Sequence, residues 1–335
     1  MKKKSVNKKP IFSKFIYSAL ILIVGMAGGY LLGFLTTRPT NKDIQDLSEI
    51  RAGRYQFTNP LLDCDNFHPS VLKNHVRLKN NLNDYVNNAL KTGISDHISV
   101  YFRLLNNGPW IGINEKYYFT PASLLKAPIL IAILKKAEAD TTLLNKKILY
   151  DKVLENTYSP NIADNENIKT GNTYTVDKLL EYMIIHSDNN AKAILLNLIG
   201  DDYLLNVMTD LGVNLRNRDL SIDFLSVKEY SSFFRIMYNA SYLNRDMSEK
   251  ALKILSKTKF NKGIPDKLPK NILVAHKFGE RGFENSNEKQ LHNCGIVYVP
   301  DSPYLLCIMT KGTDFNNLTK VISDISEIVY NSVSK

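Results

Sequence analysis

Apolar residues recur at spacings of three and four at Val71, Leu72, Val76, Leu82, Tyr85, Val86 and Leu90, one face of a helix that Gly93 ends. The period then changes. "HISVYFRLL" and "PWIGI", separated by "NNG", read as the two strands of a hairpin. From Pro121 to about Asn239 the helical period returns, in "SLLKAPILIAILKKAEA", "TVDKLLEYMIIH", "DNNAKAILLNLI", "DDYLLNVMTDL" and "SVKEYSSFFRIMYNA". The last of these opens on a capping-box pair, Ser226 and Glu229. Strands come back at "NILVAHKF", "CGIVYV" and "YLLCIMT", before a closing helix from about Asn316 to Val333. Strands, helices, strands and a helix in that order predict an α+β domain. Its antiparallel sheet takes strands from both ends of the chain and is flanked by helices, and an all-helical subdomain is inserted between them.

The N-terminal pattern is of another kind. Phe15 to Leu35 is a run of 21 residues without a charge, enough to span a bilayer as a helix. It follows residues 1–14, which carry Lys2, Lys3, Lys4, Lys8, Lys9 and Lys14 and no acid. Lysines stay on the cytoplasmic side, so the run reads as a single-pass, uncleaved anchor at the cell membrane that places the following domain outside. A cleaved signal peptide is the rival reading, although its apolar core would be shorter and no A-x-A site follows Leu35. Gly25, Gly29 and Gly33 fall at four-residue intervals, a spacing that permits close helix approach but is also common in membrane spans. Residues 36–66 are polar and carry Pro39 and Pro60, and they read as a linker leading into a folded domain over 67–335.

The net charge of +10 changes meaning in that light. Six of those charges are the tail lysines, which leaves +4 for the remainder and no case for nucleic acid. The basic signal belongs to membrane topology and anionic lipid. With 44% hydrophobic and 23% charged residues the rest is ordinary globular material. Cys64, Cys294 and Cys307 make no disulfide framework. Cys294 and Cys307 flank the "VPDSPY" turn and could face each other across a hairpin, but buried free thiols are the expected state. Six scattered histidines lack zinc-ligand spacing, and neither a metal nor another cofactor is implied.

Ser123 and Lys126 stand three residues apart at the mouth of an apolar helix. On a helix such residues share a face, about 5–6 Å apart between Cβ atoms, so the amine can reach the hydroxyl. Burial disfavours the ammonium and prepares the lysine to act as a base, and the helix start offers a backbone N–H to an oxyanion. The spacing alone says little, since Ser5–Lys8, Ser70–Lys73 and Ser256–Lys259 share it. Context singles out Ser123. "HSDNNA" places Ser187, Asp188 and Asn189 at a junction between two helices. A lysine on a late strand, Lys277 in "ILVAHKFGE", follows with Phe278 and Gly279, where glycine lets backbone approach a ligand. The literal Lys-Thr-Gly triplets at Lys91–Gly93 and Lys169–Gly171 both precede Ser187, one at a helix end and one in a polar loop.

These three motifs, in this order and on these elements, resemble the active-site serine penicillin-recognising enzymes, in their class A β-lactamase-like branch. The resemblance runs from about Val71 to the C-terminus and includes Tyr158–Pro160 ("YSP") and Gly263–Pro265 ("GIP"). It implies that Ser123 is acylated, that Lys126 activates it and that Ser187 passes a proton to the leaving nitrogen. By the same resemblance Asn189 holds the substrate amide and Lys277 supplies positive potential toward Ser187 and a substrate carboxylate. The backbone N–H groups of Ser123 and Glu280 form the oxyanion hole, Gly279 lies against the substrate and Tyr158 walls the cleft. Asp188 reads instead as a helix cap.

Two departures stand out. Class A β-lactamases carry a glutamate on a long loop after the Ser-Asp-Asn element, where it activates the deacylating water. Here Leu211 to Ser226 is too short for that loop and has no Glu-x-x-Leu-Asn; its acids, Asp219 and Asp223, read as loop carboxylates. Phe278 replaces the usual threonine and removes a hydroxyl that helps hold the substrate carboxylate. Arg281 reads as an exposed arginine. The expectation is a membrane-anchored extracytoplasmic serine hydrolase acting on a β-lactam or on the D-Ala-D-Ala end of a peptidoglycan stem peptide. The alternative is a catalytically silent or acylation-only penicillin sensor or binding module.

Overall fold

The computed structural model describes residues 47–51, 53, 55–66, 69–106, 109–154, 166–221, 223–283 and 286–334, with residues 25, 26 and 28. The expected cytoplasmic tail and nearly all of the expected anchor at 15–35 lie outside the described residues, as does Tyr158. Among the described residues no helix is long and apolar enough to cross a membrane.

The elements follow the hydrophobic pattern closely. Helix α1 (Pro69–Lys91) is followed by strands β3 (His97–Leu104) and β4 (Trp110–Ile113). After α2 (Lys126–Ala139) come α3 (Val176–Ile185), α4 (Asn189–Ile199), α5 (Asp201–Asp210), α6 (Val227–Asn239) and α7 (Arg245–Leu255). Strands β9 (Val274–Gly282), β10 (Lys289–Val297) and β11 (Tyr304–Gly312) then lead to α8 (Phe315–Val333). The five-stranded antiparallel sheet runs β4-β3-β11-β10-β9, so its first and last strands in chain order, β3 and β11, are paired and β9 is an edge.

Alternation along the strands divides the core in two. Tyr101, Cys294, Ile296, Cys307 and Met309 face the helical block, while Val100, Phe102, Leu306 and Ile308 face α1 and α8. Helix α2 is buried at almost every position from Lys126 to Leu134, so it is the central post of the helical block rather than an amphipathic cover. Ser226 and Glu229 do form the capping box that opens α6, and Gly93 follows α1 at φ +69°.

The linker reading of 36–66 needs correction where the chain is described. Strands β1 (Leu47–Arg51) and β2 (Leu61–Asn66) pair antiparallel. Between them Phe57, Thr58 and Asn59 are buried. The Glu249 carboxylate accepts from the amides of Phe57 and Thr58 (both 2.9 Å), and the Tyr298 hydroxyl donates to Phe57 O (3.0 Å). A short polar segment with one large apolar anchor gives no period to read, yet its backbone is satisfied by side chains of the domain. Short two-stranded pairings of β5 (Tyr118–Phe119) with β8 (Leu225–Ser226), and of β6 (Lys147–Leu149) with β7 (Thr173–Thr175), escape periodicity for the same reason of length.

Cys294 and Cys307 stand directly opposite each other on β10 and β11 and are joined by a disulfide, so the expectation of two free thiols is wrong. Register decides it: the two side chains leave the same face of adjacent strands.

Candidate active site

The chain enters the site through Phe119-Thr120-Pro121, at the end of β5. A 3₁₀ turn over Ala122–Leu125 carries Ser123, and α2 begins at Lys126. The serine and lysine therefore meet across the seam between two helix types. Their side chains still converge, with Lys126 Nζ 3.1 Å from Ser123 Oγ. Lys126 is buried, and its amine donates to Asn189 Oδ1 (2.7 Å) and to the carbonyl oxygen of Ser187, and lies 3.0 Å from Ser187 Oγ.

Ser187 sits between α3 and α4 at φ +57°, a left-handed conformation that few non-glycine residues adopt. Asp188 is the N-cap of α4: Oδ1 accepts from Ala191 N (2.9 Å) and Oδ2 from Ile168 N (2.7 Å). That cap fixes the junction, and with it the direction of Ser187 and Asn189.

Lys277 arrives from β9 on the face shared with Cys294 and Cys307. Its Nζ lies 3.1 Å from Ser187 Oγ and donates to Phe278 O (3.0 Å), 4.1 Å from the centre of the Phe278 ring. Two buried amines thus flank one hydroxyl. Burial first, and then the nearby Lys126 ammonium, push the Lys277 ammonium to lose its proton well below the usual lysine range. The carboxyl of Glu280 opposes this.

Ser123, Lys126, Ser187, Asn189 and Lys277 are thus brought together. Gly279 and Glu280 are next along β9, beside the Ser123 turn. The reason for glycine differs from the expected one: a Cβ at 279 would lie 2.7 Å from Pro121 O and 3.0 Å from Leu124 N. Gly279 admits the nucleophile turn against the strand. The Phe278 ring, beneath the Lys277 amine, stacks on Phe260 (centroids 4.4 Å apart). Arg281 is exposed and lies over Phe283.

Asp219 is an exposed loop carboxylate that accepts from Ser221. Asp223 is not. It accepts from Thr120 Oγ1 (2.8 Å) and Gln290 Nε2 (3.0 Å) and is paired with Lys311. Burial would raise its carboxyl, but bonds from Gln290, Lys311 and Thr120 together with the Lys311 charge outweigh that and hold it below the usual carboxylate range. Gln290 and His292 also escaped notice, because the strand that carries them starts five residues before Cys294. Their even spacing with Cys294 is the signal that would have found them.

Two histidines behind the site are buried and neutral. Burial first lowers His276 to about 3 and His292 to about 4, from 6.5. The unfolded chain therefore takes up protons below pH 6.5 that the folded one refuses, and stability falls with pH from 6.5 toward 4. At pH 5 the loss is about 2 kcal/mol per histidine. A lower urea midpoint at pH 5 than at pH 7 is expected, and an unchanged midpoint would contradict these two neutral sites.

Residues 77–333 match the family model described as "Beta-lactamase enzyme family". The chain is similar to beta-lactamase VEB-1 of Pseudomonas aeruginosa, 25% identical over 273 residues that cover 75% of this chain and 90% of that one. Extended-spectrum beta-lactamase PER-1 of the same organism is 24% identical over 239 residues, 65% of this chain and 76% of its own. In fold it resembles TLA-1 extended-spectrum beta-lactamase, with a TM-score of 0.67 at 19% identity over 77% of this chain and 99% of that one. A variant of PBP-A in an acyl-enzyme complex with penicillin G gives 0.63 at 21%, over 77% and 96%.

Proposed function

This chain belongs to the beta-lactamase enzyme family, a family of serine hydrolases acting on amide bonds, and from that premise we propose that it forms an acyl-enzyme on Ser123 outside the cytoplasmic membrane. Its substrate is a β-lactam or the D-Ala-D-Ala end of a cell-wall peptide. The convergence of Lys126 and Lys277 on the Ser187 hydroxyl, with Ser123 3.1 Å from the first amine, carries the reading.

The contacts suit a neutral Lys126. Two carbonyl oxygens, of Ser187 and of the Asn189 side chain, take the two N–H groups of such an amine and leave its lone pair for the Ser123 proton. Repulsion between two buried ammonium groups is mutual, so one charge on the pair is favoured. The Phe278 ring beneath Lys277 and the Glu280 carboxyl favour placing it there, and with Lys126 neutral only burial opposes it.

In acylation Ser123 Oγ bonds to the carbonyl carbon while its proton passes to Lys126 Nζ. The oxyanion is met by the backbone N–H groups of Ser123 and Glu280. As the amide bond breaks, Ser187 gives its proton to the leaving nitrogen and is reprotonated by way of Lys126, 3.0 Å away. Asn189 holds the substrate amide, and Lys277 draws its carboxylate.

Deacylation is expected to be slow. Asp219 is bound to Ser221, and Asp223 to Thr120, Gln290 and Lys311, so neither is available to activate water as the loop glutamate of class A enzymes does. This draws the protein toward a D,D-peptidase. The 21-residue apolar run with its lysines supports an uncleaved anchor, and the Cys294–Cys307 disulfide supports an oxidising, extracytoplasmic setting.

Nitrocefin and a fluorescent penicillin test the reading together. A stoichiometric, slowly released adduct is expected, and many nitrocefin turnovers would make it an efficient β-lactamase instead. An adduct without cleavage of a D-Ala-D-Ala peptide would mark the acylation-only sensor. The absence of both adduct and hydrolysis would overturn the proposal.

A further inference from the structure

Thr120 stands three residues before Ser123, and each of its polar groups is held by a side chain. Its N–H donates to Gln290 Oε1 (3.0 Å), its carbonyl accepts from His292 Nε2 (3.0 Å) and its hydroxyl donates to Asp223 Oδ1 (2.8 Å). The tautomer is set by the neighbours: His292 Nδ1 accepts from Thr310 N (3.3 Å), which leaves the proton on Nε2. The three holders are tied to one another and to the sheet. Gln290 Nε2 donates to Asp223 (3.0 Å) and Glu288 (3.0 Å), and Lys311 pairs with Asp223. Gln290 and His292 are fully buried.

Backbone groups at the end of a strand are ordinarily satisfied by a ladder or by water, and apolar side chains would fill this space with less desolvation. A buried glutamine and a buried histidine spent on one residue's backbone fix a position more than they add stability. What they fix lies next along the chain. Pro121, at φ −69°, passes the orientation on with little freedom, and Ala122 follows at φ +50°, a left-handed conformation strained for a non-glycine residue. On its far side the turn is held by the buried Tyr230 hydroxyl, which donates to Leu124 O (2.9 Å). The strained residue next to Ser123 is thus gripped at both ends.

We propose that Gln290, His292 and Asp223 form a clamp on Thr120 that positions the Ser123 turn, which makes all three positioning residues for acylation although none touches the substrate. The inference rests on the reading of Ser123 as the acylated residue. Its consequence is a split between binding and chemistry: with the clamp loosened the cleft still binds a penicillin, but the hydroxyl is misplaced for attack.

The test compares wild type, Gln290→Met, Asp223→Asn and Thr120→Val, the last removing only one hydroxyl. Acylation by a fluorescent penicillin is resolved into the noncovalent dissociation constant and the first-order acylation rate, and urea unfolding is followed alongside. For Gln290→Met and Asp223→Asn the acylation rate should fall about 10- to 100-fold with the dissociation constant unchanged within about twofold. Thr120→Val should lose less, and it decides the matter where the other two fail to fold. An acylation rate unchanged in a folded variant, or one that falls only in step with binding and stability, overturns the clamp. The amide ¹H–¹⁵N shifts of Ala122 and Ser123 give a readout that needs no activity. They should move in all folded variants, more than that of Asn189, and unmoved shifts also overturn it. If wild type takes no penicillin while these shifts move, the clamp stands and the acyl-enzyme reading fails.

Discussion

Replacing Lys126 with methionine should lower the rate of Ser123 acylation about a thousandfold, the middle of the range for a positioned general base. Methionine keeps the length and most of the volume of the side chain. Removing one partner of a buried hydrogen bond is tolerated where the group left behind meets water, so the protein should stay folded. Asn189 Oδ1 and the Ser187 carbonyl lose a donor but keep access to water in the half-buried cleft. The defect should therefore appear in the acylation step and not in the unfolding curve. Near wild-type acylation of this variant would remove Lys126 as the base and leave Lys277 to be tested.

Gly279→Ala should impair both acylation and stability. The added Cβ would lie 2.7 Å from Pro121 O and 3.0 Å from Leu124 N, backbone atoms on the turn that carries Ser123. Neither can yield without moving that turn. Overpacking of this kind costs roughly 1–3 kcal/mol, and a shift of about 1 Å in the nucleophile costs roughly 10²-fold in rate. Urea unfolding and penicillin acylation of the one variant check both, and a variant that matches wild type in each would show that β9 and the turn are not in contact as described.

These two substitutions mark where sequence alone was enough and where it was not. Lys126 was legible because an ammonium in an apolar helix breaks the pattern around it, and Ser187 because a Ser-Asp-Asn run sits where two helical periods meet. The sheet was legible too, since strands near both ends of the chain shared one alternation and had no other partner. Gly279 was legible as a special position but for the wrong reason, because only the folded chain shows that Pro121, far away in sequence, is what fills the space beside it. Asp223 and Gln290 were not legible. Their partner Thr120 is 103 and 170 residues distant, and a polar side chain on a short loop or an early strand end reads as solvated until such a partner appears. The buried Phe57 anchor was missed because a single apolar residue has no period.

Intact-mass spectrometry of the domain after incubation with penicillin, beside a Ser123→Ala variant, tests the central claim most directly. The account predicts a mass increment equal to one penicillin on the wild type, none on the variant, and slow loss of the adduct. An equal increment on both proteins, or none on either, would contradict it.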